Sequence, residues 1–220
     1  MKKTFSLLLM VALLSLSLTA FAAGSDYQSW VGIGINYNFQ PGMNLTSTDP
    51  DTGIVSNAKY NPSVGGGIEV GYKMQNYGVR ARYDYYSATG SMSFNNVPTG
   101  ISISSGSLSG NVMDYYAQVM GFMPINAVAD CYVGVGVGGL RQTATIGNTT
   151  ITTVTPTPST TTVAGETITS NCVGIPISVG GNYFFAKQFG VNVDLTYMIS
   201  TNTSNVASYF TPQIGLKYTF

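Results

Sequence analysis

The chain has 220 residues with nine basic, nine acidic and no histidine side chains, a formal net charge of zero. Charged residues make up 8% of it, against about 25% in ordinary soluble domains; this argues against a solvated globular surface, and no basic patch supports a nucleic-acid partner. Without histidine, Ser-His hydrolytic sites and histidine metal sites cannot be assembled, so no enzyme activity, cofactor or metal is expected.

Met1-Lys2-Lys3, the apolar run from Leu7 to Leu18 and the small-x-small sequence Ala20-Phe21-Ala22 read together as a secretory signal peptide over 1–22. Lys2 and Lys3 leave with it, so seven basic and nine acidic residues remain. No stretch reaches the roughly 20 apolar residues of a spanning helix; entry into a membrane would have to be as a barrel. Over residues 23–220, eight segments alternate with period two, each with one apolar face. In chain order these faces carry Val31, Ile33, Ile35, Tyr37 and Phe39; Val64, Ile68, Val70, Tyr72 and Met74; Val79, Ala81, Tyr83 and Tyr85; Met113, Tyr115, Ala117 and Val119; Val133, Val135 and Val137; Val173, Ile175, Ile177, Val179 and Tyr183; Val191, Val193, Leu195, Tyr197 and Ile199; and Ile214, Leu216, Tyr218 and Phe220. The opposite faces are glycine, amide and charge. Tyr and Phe at strand ends match an interfacial girdle, so the apolar faces are assigned to lipid and the polar faces to a lumen. The fold class is all-β, an eight-stranded antiparallel up-and-down transmembrane β-barrel.

Connections alternate between short ones (Gln75-Asn76, Pro124 to Ala129, Ala186 to Gln188) and long ones over about 40–59, 88–110, 142–171 and 200–208. Outer-membrane barrels keep short turns in the periplasm and long loops outside, so both termini are expected in the periplasm. The Gln75-Asn76 turn predicts a register in which Glu69 faces Arg82 and Gly67 faces Asp84 inside, with Gly66 facing Tyr85 outside.

Eight charged residues fall on lumenal positions: Glu69, Asp84, Asp114 and Asp194 against Lys73, Arg80, Arg82 and Lys217. An eight-stranded barrel is just wide enough inside for side chains to fill, and buried charges persist when paired. The expected role is therefore a salt-bridged plug; the opposing feature is the set of lumenal glycines, Gly134, Gly136 and Gly138 among them, which could leave a narrow wet path. Asp84, Asp114 and Asp194 could also be proposed for carboxylate-only hydrolysis, with ion pairing the simpler role. The glycines of 134–139 formally match a dinucleotide pattern, but no helix signal follows them. Cys131 and Cys172 are expected some 30 Å or more apart, at opposite ends of adjacent strands, beyond disulfide reach. Asp49-Pro50-Asp51 reads as a turn, being too poor in ligands for calcium. The threonine-rich stretch over 142–171, with Pro156 and Pro158, either extends its flanking strands as a hairpin or remains a loop.

The last segment, Gln213-Ile214-Gly215-Leu216-Lys217-Tyr218-Thr219-Phe220, resembles the assembly signal of bacterial outer-membrane barrels, with Gln213, Gly215, Tyr218 and Phe220 on its polar, glycine, aromatic and terminal Phe positions. With the strand alternation, the chain resembles the small eight-stranded barrels of the OmpA transmembrane-domain and opacity-type superfamily over essentially its whole mature length. The resemblance implies insertion by the barrel assembly machinery and an environment of outer-membrane lipid and lipopolysaccharide. It also implies a structural or adhesin-like role through a surface ligand at the loops, or alternatively a narrow porin-like channel for ions or small solutes.

Overall fold

Alternation of β-branched or aromatic residues with glycine and polar residues produces strands wherever neighbours can complete the backbone ladder. The computed structural model describes residues 27–39, 44–51, 53–104, 107–153, 158–201 and 208–220; the expected signal peptide over 1–22 lies outside them. Among the described residues thirteen strands are formed: β1 (Tyr27–Asn38), β2 (Asn44–Thr48), β3 (Val55–Tyr60), β4 (Ser63–Met74), β5 (Tyr77–Asn95), β6 (Ile101–Ser104), β7 (Leu108–Asn126), β8 (Ala129–Ile146), β9 (Thr149–Thr153), β10 (Ser159–Val163), β11 (Glu166–Phe184), β12 (Phe189–Ser200) and β13 (Tyr209–Thr219). Eight of them, β1, β4, β5, β7, β8, β11, β12 and β13, pair antiparallel in a ring that β13 closes against β1, Trp30 opposite Thr219 and Asn36 opposite Gln213. Closure leaves no ladder edge around the wall, the condition for a sheet to stand in hydrocarbon.

The polarity of this wall is inverted relative to a soluble protein. Ile33, Val119, Val133 and Ile214 are each at least 60% exposed on the outside, whereas Glu69, Arg80 and Asp194 are at most 3% exposed within. The expected hairpin register holds: Glu69 pairs with Arg82, Gly67 with Asp84 and Gly66 with Tyr85. Gln75 in that turn takes a left-handed φ of 52°. Three prolines lie inside wall strands, where a missing N–H interrupts pairing; at Pro124, near the end of β7, the β7–β8 register shifts before Asn126. Beside Pro176 the β8–β11 ladder skips from Gly174 to Ile177, and beside Pro212 the β1–β13 ladder stops at Gln213 before an isolated bridge joins Phe39 and Phe210.

Much of what the sequence leaves to loops is strand. β5 runs to Asn95 and β7 restarts at Leu108, while β8 and β11 stay paired as far as Ile146 and Glu166. β2 and β3 add onto the extended part of β5, and β6, β9 and β10 form a separate three-stranded sheet. Threonine, serine and isoleucine favour extended backbone outside the membrane as well as within it, and the ladder continues wherever a paired partner exists. Asp49-Pro50-Asp51 closes as a turn, Asp51 N donating to Asp49 Oδ1 at 2.9 Å. Cys131 lies opposite Gly181 and Cys172 opposite Leu140, nine positions apart along the sheet or roughly 30 Å at about 3.3 Å per residue; both thiols are free.

Candidate functional site in the barrel lumen

Period two sends every second side chain of eight strands inward, and the lumen fills in layers. At the short-turn end Lys73 Nζ meets Asp130 Oδ2 at 2.6 Å, and Asn182 Nδ2 donates to Asp130 Oδ1 at 2.6 Å. Beside them Trp30, Met120, Phe122 and Tyr132 form a buried apolar cluster. Trp30 meets Phe122 edge-on at 6.0 Å, donates its indole N–H to Glu69 Oε1 at 3.2 Å and lies under the Lys217 ammonium, 4.6 Å from its ring centre.

The middle layer is a charge network. Arg80 Nη1 contacts Glu69 Oε2 at 3.2 Å and Asp194 Oδ2 at 3.0 Å; its Nη2 donates to Gln118 Oε1 at 2.6 Å and Ser178 Oγ at 3.0 Å. Arg82 bridges Asp84, 2.8 Å from Nε to Oδ2, and Asp194, 3.0 Å from Nη1 to Oδ1. Lys217 Nζ approaches Glu69 Oε1 at 3.3 Å and Asn182 Oδ1 at 2.7 Å. Tyr132 and Thr196 hydroxyls donate to the two Asp194 oxygens, each at 2.6 Å. Forked guanidinium contacts of this kind hold planar carboxylates and amides in one arrangement. Towards the long-loop end, Tyr86, Val112, Tyr116, Leu140, Met198 and Tyr209 form a third, mostly apolar layer with Cys172 packed against it.

All eight charges assigned to the lumen from the sequence are placed there, and the pairing differs from a simple balance. Glu69 lies across from Arg82 in the ladder, yet its ion pairs are with Arg80 and Lys217. Asp130 is a fifth lumenal carboxylate, so five acids face four cations. Its inward parity with Tyr132 and Gly134 carried that signal. Asp114 has no ion pair among the described residues; it accepts the Tyr209 hydroxyl instead. The lumenal glycines seat neighbouring side chains: a Cβ at Gly71 would meet the Trp30 ring at 2.0 Å, one at Gly134 the Met120 sulfur at 2.6 Å, and one at Gly180 the Tyr132 hydroxyl at 2.5 Å. Volume removed from one strand is thus taken up by a large residue from the next. Among the described residues no cluster of three or more metal-ligating side chains occurs.

At the closing strand, Gln213 and Lys217 point inward, while Tyr218 and Phe220 lie on the outer side. The Tyr218 ring meets those of Phe189 and Phe220, each at 5.0 Å between centres. A family model described as outer membrane protein beta-barrel domain matches residues 7–220. The chain belongs to that family. As a member, it is a protein of the bacterial outer membrane. No curated protein matches the sequence. Among solved structures, the fold is similar to the outer membrane protein OprG of Pseudomonas aeruginosa, at 12% identity and a TM-score of 0.56 over 88% of this chain and 95% of that one. It is also similar to Ail, the attachment invasion locus protein of Yersinia pestis, in complex with the heparin analogue sucrose octasulfate, at 13% identity and a TM-score of 0.50 over 89% and 99%. A third similar structure is Neisserial surface protein A, at 10% identity and a TM-score of 0.50 over 89% and 98%. At these identities the likeness is one of fold.

Proposed function

We propose that this family member is a sealed barrel with a structural and surface-interaction role, carried by the platform its strands build beyond the wall at the long-loop end. On this reading the short turns and both termini lie in the periplasm, the barrel assembly machinery recognises Gln213, Gly215, Tyr218 and Phe220, and the protein is not an enzyme. The observation that carries it is the three-layered packing of the lumen: a filled interior leaves the outer rim as the surface available for specific contact. Ail offers a precedent for an anionic glycan ligand, but it does not transfer directly. At the long-loop end the described charges are Lys59 and Arg141 against Asp49, Asp51 and Glu166, without the cationic excess a sulfated chain requires. An uncharged, hydroxyl-rich partner suits this rim better. Deletion of 147–165, which removes β9 and β10 and spares the β8–β11 ladder, is expected to abolish binding of expressing cells to host cells or matrix while the barrel still inserts; unchanged binding would sink the surface reading.

The narrow-pore alternative has one observation in its favour. Asn36 Oδ1, both Asn38 side-chain polar atoms, Gln213 Oε1, Arg82 Nη2 and Asp114 Oδ1 are buried without a hydrogen-bond partner, and buried groups of this kind are usually satisfied by water. These atoms lie towards the long-loop half, above the Arg80 layer, which supports a wet pocket with a closed floor. In planar bilayers the refolded wild type is expected to show no discrete conductance steps. Steady steps whose ion selectivity changes in Arg82→Ala would establish the pore instead.

A further inference from the structure

The β6–β9–β10 sheet ends on β10, whose outer edge has no strand beside it among the described residues. Such an edge presents unpaired N–H and C=O groups, and natural proteins protect it with charge, proline, a bulge or a cover. None of the first three occurs within Ser159-Thr160-Thr161-Thr162-Val163, and every one of its residues is exposed. The opposite margin, β6, is one residue shorter, with Ile101 and Ile103 half-buried.

The edge is also held ready. Gly147 N donates to Ser107 O at 2.7 Å and Gly165 N to Asn148 Oδ1 at 2.9 Å, which ties both stems of the β9–β10 hairpin. The Thr153 and Ser159 hydroxyls meet at 2.6 Å across it. A strand already extended and fixed loses little conformational freedom on pairing.

We propose that β10 is a homophilic docking edge, pairing antiparallel with β10 of a second copy to join two three-stranded sheets into one of six. The sequence is self-complementary in that arrangement. With the dyad at Thr161, Thr160 faces Thr162 of the other copy and Ser159 faces Val163; Thr–Thr pairs are favourable across strands. No charged residue lies between Arg141 and Glu166, so nothing along the hairpin opposes a like neighbour. The internal register reinforces the match. Ser102, Thr152 and Thr160 form one row across the sheet and Ser104, Thr150 and Thr162 the next, and the dyad brings the first row of one copy against the second row of the other, so two hydroxyl rows run unbroken across both copies. A foreign peptide would need to supply the same neutral sequence, whereas a second copy carries it by definition.

This pairing rests on the surface-interaction reading and adds a second copy of the chain as a partner of the same platform, and it is tested separately. In a Cys131→Ser/Cys172→Ser background, Thr161→Cys on intact expressing cells is expected to give a disulfide-linked dimer on mild oxidation. It should form about tenfold faster than with Thr145→Cys, because residues held opposite one another react at raised effective concentration. Thr145 is an exposed control whose strand is paired on both sides. Thr161→Pro, assayed by chemical crosslinking with barrel content followed by circular dichroism, should lose the dimer and keep the barrel. Equal crosslinking at both cysteines, or capture of a different protein at Thr161→Cys, overturns the pairing. Loss of adhesion on hairpin deletion without a Thr161→Cys dimer would sink the pairing alone.

Discussion

Arg80→Ala is expected to lower the unfolding free energy by about 3–5 kcal/mol, the cost of breaking a buried ion pair by removing one partner. Arg80 is 1% exposed and bonds to groups from five other wall strands: Glu69 on β4, Gln118 on β7, Tyr132 on β8, Ser178 on β11 and Asp194 on β12. Lys217 and Arg82 keep one partner each for Glu69 and Asp194, so the loss should fall short of full collapse. Arg80→Lys keeps the charge without the fork and should lie between wild type and Arg80→Ala. Urea unfolding in lipid vesicles, followed by the fluorescence of Trp30, the sole tryptophan, measures both. A loss below about 1 kcal/mol, the scale of a solvated ion pair, would mean that water already reaches the network, and the plug would be untenable.

The second large effect concerns Trp30 and the space opposite it. Trp30→Ala should cost about 3–5 kcal/mol through lost burial and the cavity left behind. Gly71→Leu alone should cost about 1–3 kcal/mol or more, because its Cβ would enter the Trp30 ring. Combined, the two changes exchange volume across the same gap. Gly71→Leu should therefore reverse sign and stabilise the Trp30→Ala protein, a coupling that a double-mutant cycle reads directly. Circular dichroism during urea unfolding replaces fluorescence for these variants. Simple additivity would show that Gly71 has no part in seating the indole.

Alternation made the wall legible. An apolar residue at every second position from Val31 to Phe39 or from Val173 to Val179 needs no tertiary knowledge to be assigned to one face, and a two-residue turn then sets the pairing between β4 and β5. The lumen was legible for its charges, amides and glycines, not for its aromatic residues. Tyr86, Tyr116, Tyr132 and Tyr209 face inward, but a test that assigns apolar residues to lipid treats them as noise. Tyr85-Tyr86 and Tyr115-Tyr116 place one aromatic on each face, and only packing across the lumen shows why the inner ones are needed. Asp130 is not legible because the sequence places Cys131 at the start of the strand, one residue after it, whereas β8 begins at Ala129. The outer strands are hidden for another reason: β2, β6, β9 and β10 are only four or five residues long and have no lipid to impose an apolar face, so single apolar residues such as Ile101, Ile103 and Ile151 stand among serine and threonine too briefly to mark a strand, and their partners are set by proximity.

Because the lumenal network draws on strands from both ends of the chain, its components become available at very different times. Arg80 and Asp194 are 114 residues apart in sequence, and Trp30 on β1 shares Glu69 with Lys217 on the last strand. During synthesis and transit the early charges have only each other, Glu69 for Arg80 and Asp84 for Arg82, and an open sheet would bring them towards lipid without Asp194 and Lys217. Insertion strand by strand would therefore meet its greatest electrostatic cost midway and recover it only when β13 meets β1. Such a chain gains by remaining unfolded in water until its final strand is present, and by crossing into the membrane as a nearly closed ring.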